Sequence, residues 1–161
     1  MKKLKLELSD ESIKISDLNI FINEFDLRLP ESYIDFILKN NGGYPNLTAY
    51  GNPYDDGLIV DSFYSVSLSD YRFNKDEVAL LSSREIIRTH QIIEKNIPPY
   101  LYPFADDEGG AKFCLSMKDE SFGKVFLVYL DGTYDEPTFI SDSFSKFIET
   151  LEDVEKYEND F

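Results

Sequence analysis

The chain has 161 residues, the length of about one folding unit, and its 16 Lys+Arg against 31 Asp+Glu leave a formal charge of −15. Its 42% hydrophobic and 15% aromatic residues can build a core, which excludes a disordered acidic tail. A field of that sign repels phosphate backbones and anionic headgroups, and so disfavours nucleic-acid and membrane-surface binding.

Leu4, Leu6 and Leu8 alternate with Lys3, Lys5 and Glu7. That is the period of a half-buried edge strand, not the apolar run of a secretory signal. Beyond Ser16, a suitable N-cap, Leu18, Phe21, Ile22 and Phe25 recur at helical spacing and predict a first helix that packs inward. Pro30 opens a second helix with Tyr33, Phe36 and Ile37 on its inner stripe, and Asn40-Asn41-Gly42-Gly43 ends it with residues that tolerate positive φ. From Tyr44 to Gly57, Pro45, Gly51, Pro53 and Asp55-Asp56-Gly57 punctuate the chain so often that a long loop, or a loop holding a short turn, is expected. Leu58-Ile59-Val60 starts a strand that Phe63 to Leu68 continues after a break. Ser82 and Glu85 form a capping box for a third helix, with Ile86, Ile87, His90 and Ile93 on its apolar side and its end before Pro98-Pro99.

The second half is mainly strand. Phe113, Leu115 and Met117 alternate, and Val125 to Leu130 is apolar throughout, as in a strand covered on both faces. The short connection around Gly123 joins them as an antiparallel hairpin. Thr138-Phe139-Ile140 is a further strand, and Ser141-Asp142-Ser143 caps a last helix with Phe144, Phe147, Ile148, Leu151 and Val154 on one stripe. No repeat, linker or composition break divides the chain. Residues 1–161 are therefore expected to form a single α+β domain, a mainly antiparallel sheet with helices near both ends and one in the middle.

Catalysis is limited by arithmetic, since His90 is the only imidazole and Cys114 the only thiol. His90 falls on the apolar side of a helix, and Cys114, between Phe113 and Leu115, reads as a small buried hydrophobe. A lone Cys cannot form an internal disulfide, and no run of about 18 apolar residues is present, which fits a cytoplasmic location. Asp55-Asp56 and Asp106-Asp107-Glu108 could supply carboxylates to a cation or to acid–base chemistry, but their spacing matches neither a calcium loop nor a zinc set. Neither phosphate-cradling glycine motif occurs. The expectation is a protein with no catalytic residues, no cofactor and no metal.

Charge and aromatic rings remain. From Asp106 onward 15 acidic residues face 5 basic ones, so the field is lopsided and favours a cationic partner over like-charged competitors. Acidic surfaces also serve solubility alone. Tyr44, Tyr50, Tyr54, Tyr64, Tyr71, Tyr100 and Tyr102 gather in the middle of the chain, where rings beside carboxylates resemble a protein-binding surface.

Four segments together resemble the SUKH superfamily, which includes the yeast cell-wall-assembly regulators and many bacterial immunity proteins. They are Leu29-Pro30-Glu31-Ser32-Tyr33-Ile34-Asp35-Phe36 running to Asn41-Gly42-Gly43; Pro103-Phe104-Ala105-Asp106-Asp107-Glu108-Gly109-Gly110 with Phe113-Cys114-Leu115; Gly123-Lys124-Val125-Phe126; and Asp142-Ser143-Phe144 with Phe147. Order and spacing agree over residues 16–151. The Pro, Gly and Phe positions have scaffold roles: they start helices, end them, turn the chain and anchor the last helix. The resemblance implies a non-catalytic bacterial immunity protein that binds a cognate toxin domain, in such proteins often a nuclease, and basic in charge. It also admits an interaction or regulatory module with a non-toxin partner. On the immunity reading the candidate contact residues are Tyr50, Tyr54, Asp55, Asp56, Asp106, Asp107 and Glu108. A carboxylate-dependent hydrolase using Asp106, Asp107 or Glu108 is a third possibility.

Overall fold

The computed structural model describes residues 3–68 and 80–158. The N-terminal alternation yields a short strand, β1 (Leu6–Glu7), paired antiparallel with β2 (Tyr44–Pro45) in a small sheet of its own. Helix α1 (Ile15–Glu24) buries Leu18 and Phe21, but Ser16 lies within its first turn and Lys14 holds the cap position without a side-chain bond. Helix α2 (Glu31–Lys39) follows Pro30, whose carbonyl accepts the Tyr33 and Ile34 amides at 3.0 and 3.2 Å.

The Asn-Gly-Gly end of α2 locks the chain as well as stopping the helix. The Asn41 side chain donates to the carbonyls of Glu11 and Val66, both at 2.9 Å, and accepts from the Val66 amide at 2.7 Å. Gly42 has φ +74°, and a Cβ there would sit 2.7 Å from the Ser65 nitrogen. Only glycine fits.

Part of the expected loop over 44–57 is strand: β2, then β3 (Ala49–Tyr50). A six-stranded antiparallel sheet runs β3, β4 (Leu58–Phe63), β5 (Leu101–Asp107), β6 (Lys112–Ser116), β7 (Val125–Val128) and β8 (Thr138–Ser141), neighbours in space as in sequence. Strand β4 stops at Phe63, so the expected continuation to Leu68 does not form. Strand β5 has no counterpart among the expected elements. Pro103 argues against a central strand because it cannot donate to the ladder. Here it stands at a register shift against β6, and its carbonyl accepts the Ser83 hydroxyl at 3.1 Å, so the missing N–H breaks no regular pair.

Both faces of the sheet are covered, and side chains alternate between them. Tyr102, Phe104, Phe113, Leu115, Val125 and Leu127 join α1, α2 and the C-terminal helix α4 (Phe144–Thr150) in one core. Leu101, Cys114 and Val128 point the other way, toward Tyr64, Ile86 and Ile97. The capping box of the third helix is present, with Ser82 Oγ accepting from the Glu85 amide at 3.2 Å. That helix departs from expectation after one turn: α3 (Ser83–Ile86) passes into a π-helix over Ile87–Ile93. The wider i→i+5 winding moves later residues off the 3.6-residue stripe. Ile93 is accordingly 74% exposed, whereas Ile86 and Ile87 stay buried.

The last helix is also shorter than its apolar stripe. Ser143 caps α4, accepting from the Lys146 amide at 3.1 Å, but the chain leaves the helix at Leu151. Glu152 then pairs with Ala49 of β3 through bonds of 2.9 and 3.0 Å, and a short α5 (Glu155–Glu158) follows. The fold is α+β with a mainly antiparallel sheet. The sheet curls far enough for the Tyr50 hydroxyl on β3 to donate to the Ile140 carbonyl on β8 at 2.9 Å. No helix among the described residues is long and apolar enough to cross a membrane.

Candidate functional site

In an antiparallel meander alternate connections fall at the same end of the sheet. The β3–β4 turn (51–57), the β5–β6 turn (108–111) and the β7–β8 loop (129–137) therefore gather at one end. The Glu108 amide donates to the Ile59 carbonyl at 3.0 Å and ties the first two together, while Asp107, Tyr129 and Asp131 share a cavity of about 230 Å³ between the second and third. With Asp107 at their root, these loops carry Asp55, Asp56, Asp107, Glu108, Asp131, Asp135 and Glu136, and neither Lys nor Arg.

Local bonding fixes each turn. Asn52 accepts from the Tyr54 amide with its side chain and from the Asp55 and Gly57 amides with its carbonyl, which leaves Tyr54, Asp55 and Asp56 exposed. Asp107 Oδ1 accepts from the Gly109 and Ala111 amides at 2.9 and 2.8 Å, and Glu108 stands exposed beside it. Asp131 Oδ1 accepts from the Thr133 amide at 2.9 Å and from its hydroxyl at 2.5 Å, and these bonds hold its carboxyl below the ordinary value. Tyr129 is shifted the other way, because partial burial comes first and Asp107, Tyr134 and Asp131 add to it, all disfavouring the phenolate. Its ring packs 4.9 Å from that of Tyr134, which is 56% exposed.

Of the residues expected to form a contact surface, Tyr54, Asp55, Asp56, Asp107 and Glu108 lie together at this end. Two are placed differently from the loop positions expected of them. Asp106 belongs to β5, not to a turn, and is buried. Its Oδ1 accepts from Lys112 Nζ at 2.5 Å and from the Tyr64 hydroxyl. The Tyr64 phenol is raised well above its ordinary value, by burial first and by Asp106 next. Tyr50 sits in β3 with its ring stacked 5.2 Å from Phe147 and its hydroxyl on Ile140. Tyr64 and Tyr102 are also core residues, and Tyr71 lies outside the described residues.

Sequence reasoning missed the β7–β8 loop. Its turn residues Asp131-Gly132 and Asp135-Glu136-Pro137 were readable, but only the antiparallel strand order brings them to the same end of the sheet as residues 55 and 108. Neither reactive side chain joins this surface. His90 Nδ1 pairs with Glu94 Oε2 at 3.1 Å on the π-helix. Cys114 is fully buried, and burial pushes its thiol up. Among the described residues no three His, Cys, Asp or Glu side chains converge as metal ligands would.

The opposite end of the sheet differs in charge. Arg28 Nη1 lies 2.5 Å from Asp119 Oδ1 with its guanidinium over Phe122, Lys118 lies 3.8 Å from the centre of the Tyr100 ring, and Lys124 approaches Phe139. In comparison with known proteins, the model of the SMI1 / KNR4 family (SUKH-1) matches residues 12–150. No curated protein matches the chain.

Proposed function

The chain belongs to the SMI1 / KNR4 family (SUKH-1), and from that premise we propose that it is a non-catalytic bacterial immunity protein of the cytoplasm that binds and blocks a basic toxin domain. The family match over residues 12–150 carries this reading, since the SUKH resemblance implies toxin neutralisation by binding. Charge supports it. An end of the sheet with carboxylates on all three connections and no cation attracts a basic cleft, speeds encounter and rejects acidic competitors. Tyr54 and Tyr134 add rigid rings of the type that anchor interfaces. Asp106 contributes indirectly on this reading, by holding Lys112 at the root of the acidic turn.

Co-expression with a toxin domain encoded beside the gene tests the proposal. Growth should be rescued and a complex recovered whose association slows as salt is added. A toxin that kills regardless of this protein overturns the immunity reading. A neighbourhood that encodes no large secreted protein with a variable C-terminal domain favours the alternative of a regulatory module. Wild-type protein with hydrolytic activity that is lost on replacing Asp106, Asp107 and Glu108 by amides would turn the assignment to an enzyme.

A further inference from the structure

The acidic end continues into a groove. Where the π-helix runs out, the segment from Lys95 to Pro99 faces the β7–β8 loop across a cleft of about 680 Å³. Ile97 and Val128, both buried, contribute its apolar floor, and prolines stand on each bank: Pro98 and Pro99 on one, Pro137 beside Tyr134 on the other. The first bank is held in place, because Gln91 Nε2 donates to the Pro98 carbonyl at 2.8 Å and also to the Leu101 carbonyl, and the Asn96 and Ile97 amides donate to the His90 carbonyl at 2.8 and 3.1 Å. The second is stiffened by the Tyr129–Tyr134 ring contact. Walls already fixed lose little freedom when something docks between them.

The rim selects the occupant by charge. Asp135 and Glu136 line the groove, and Asp107 and Asp131 lie just beyond Tyr129. Lys95 is the one cation among its lining residues. An anionic ligand would meet several carboxylates within about one Debye length. A neutral apolar molecule would fill the floor and gain nothing from the rim.

We infer that this groove docks a basic protein segment of the partner, an extended stretch with an apolar or aromatic side chain between Pro98 and Tyr134 and flanking Lys or Arg side chains on Asp135 and Glu136. The inference rests on the basic-partner reading above and gives it a location. Ile92 and Ile93, which follow Gln91 on the π-helix, are 55% and 74% exposed and add apolar surface outside the groove itself.

Titration of the isotope-labelled full chain with an acetylated Lys-Trp-Lys-Leu-Lys peptide, and with its Glu-Trp-Glu-Leu-Glu counterpart, tests this directly. The basic peptide should give saturating amide shifts in residues 95–97 and 128–136, and the acidic one should not. Glu136→Lys combined with Tyr134→Ala should weaken binding by about tenfold or more. Both side chains are on the surface loop, and an unchanged far-ultraviolet spectrum confirms the fold. Phe122→Ala at the other end of the sheet should leave binding intact. Shifts spread over other surfaces, equal response to both peptides, or an unaffected double variant would overturn the inference. The toxin assay separates it from the broader reading. Rescue by wild type and equally by the double variant sinks the groove and spares the immunity function, whereas failed rescue with peptide shifts confined to the groove does the reverse.

Discussion

The two ends of the six-stranded sheet treat charge in opposite ways. At the β6–β7 end three cations among the described residues have local roles: Arg28 lies on Asp119 and Phe122, Lys118 on Tyr100, and Lys124 near Phe139. At the other end six carboxylates stand on three connections with Asp107 at the end of β5 beside them, and the sheet cation Lys112 is buried beneath in a pair with Asp106. Charge at the first end is spent internally. Charge at the second is left facing outward, on turns held by local hydrogen bonds to Asn52, Asp107 and Asp131.

The sharpest way to break this contrast is to remove the cation under the acidic end. Lys112→Ala leaves the buried Asp106 unpaired and should cost about 3–5 kcal/mol, read as a drop in Tm on the order of 10 °C. Asp106→Leu with Lys112→Met should recover most of that loss, since replacing a buried pair by apolar groups is often neutral. A smaller effect is kinetic. Asp135→Lys with Glu136→Lys should slow association with the toxin domain about tenfold at low salt, and stopped-flow traces for variant and wild type should converge as salt rises.

Arg28→Ala at the other end should cost less than about 1 kcal/mol in urea unfolding, because its ion pair is largely exposed and its stacking on Phe122 adds little. If Arg28→Ala proves as damaging as Lys112→Ala, the two ends are not distinct in the sense described. The subtlest readout is Tyr129. Asp107→Asn removes a negative neighbour that disfavours the phenolate, so the phenol should titrate at lower pH than in wild type, while Asp119→Asn should leave it where it was. Absorbance of the phenolate during alkaline titration checks both.

Much of this arrangement was legible in the chain. The stripe of Tyr33 and Ile37, the Ser82 and Ser143 caps, the alternation of Phe113 and Leu115 and the strand at Thr138 all follow from local periodicity, which depends on residues close in sequence. Non-local features escaped. Pro103 hid β5 because its tolerance depends on a register shift against β6, and the π-winding after Ile86 has no signature in a pattern tuned to 3.6 residues per turn. The candidate surface was half visible for the same reason. Asp55, Asp56, Asp107 and Glu108 announce themselves as turn residues, but their company with Asp131 and Glu136 is set by strand order. Asp106, next to Asp107, lies within β5 beyond the register shift at Pro103/Ala105 and is buried against Lys112 and Tyr64.

The bond from Tyr50 to Ile140 carries a consequence for the order of folding. Its partners are 90 residues apart in sequence, and they sit on the first and last strands of the sheet. Closing so long a loop before the strands between are laid down would cost chain entropy with little in return, so this contact belongs to the final stage of assembly. The hydroxyl of Tyr50 is thus a natural witness of completion. It finds its acceptor only in a chain whose whole sheet has already formed.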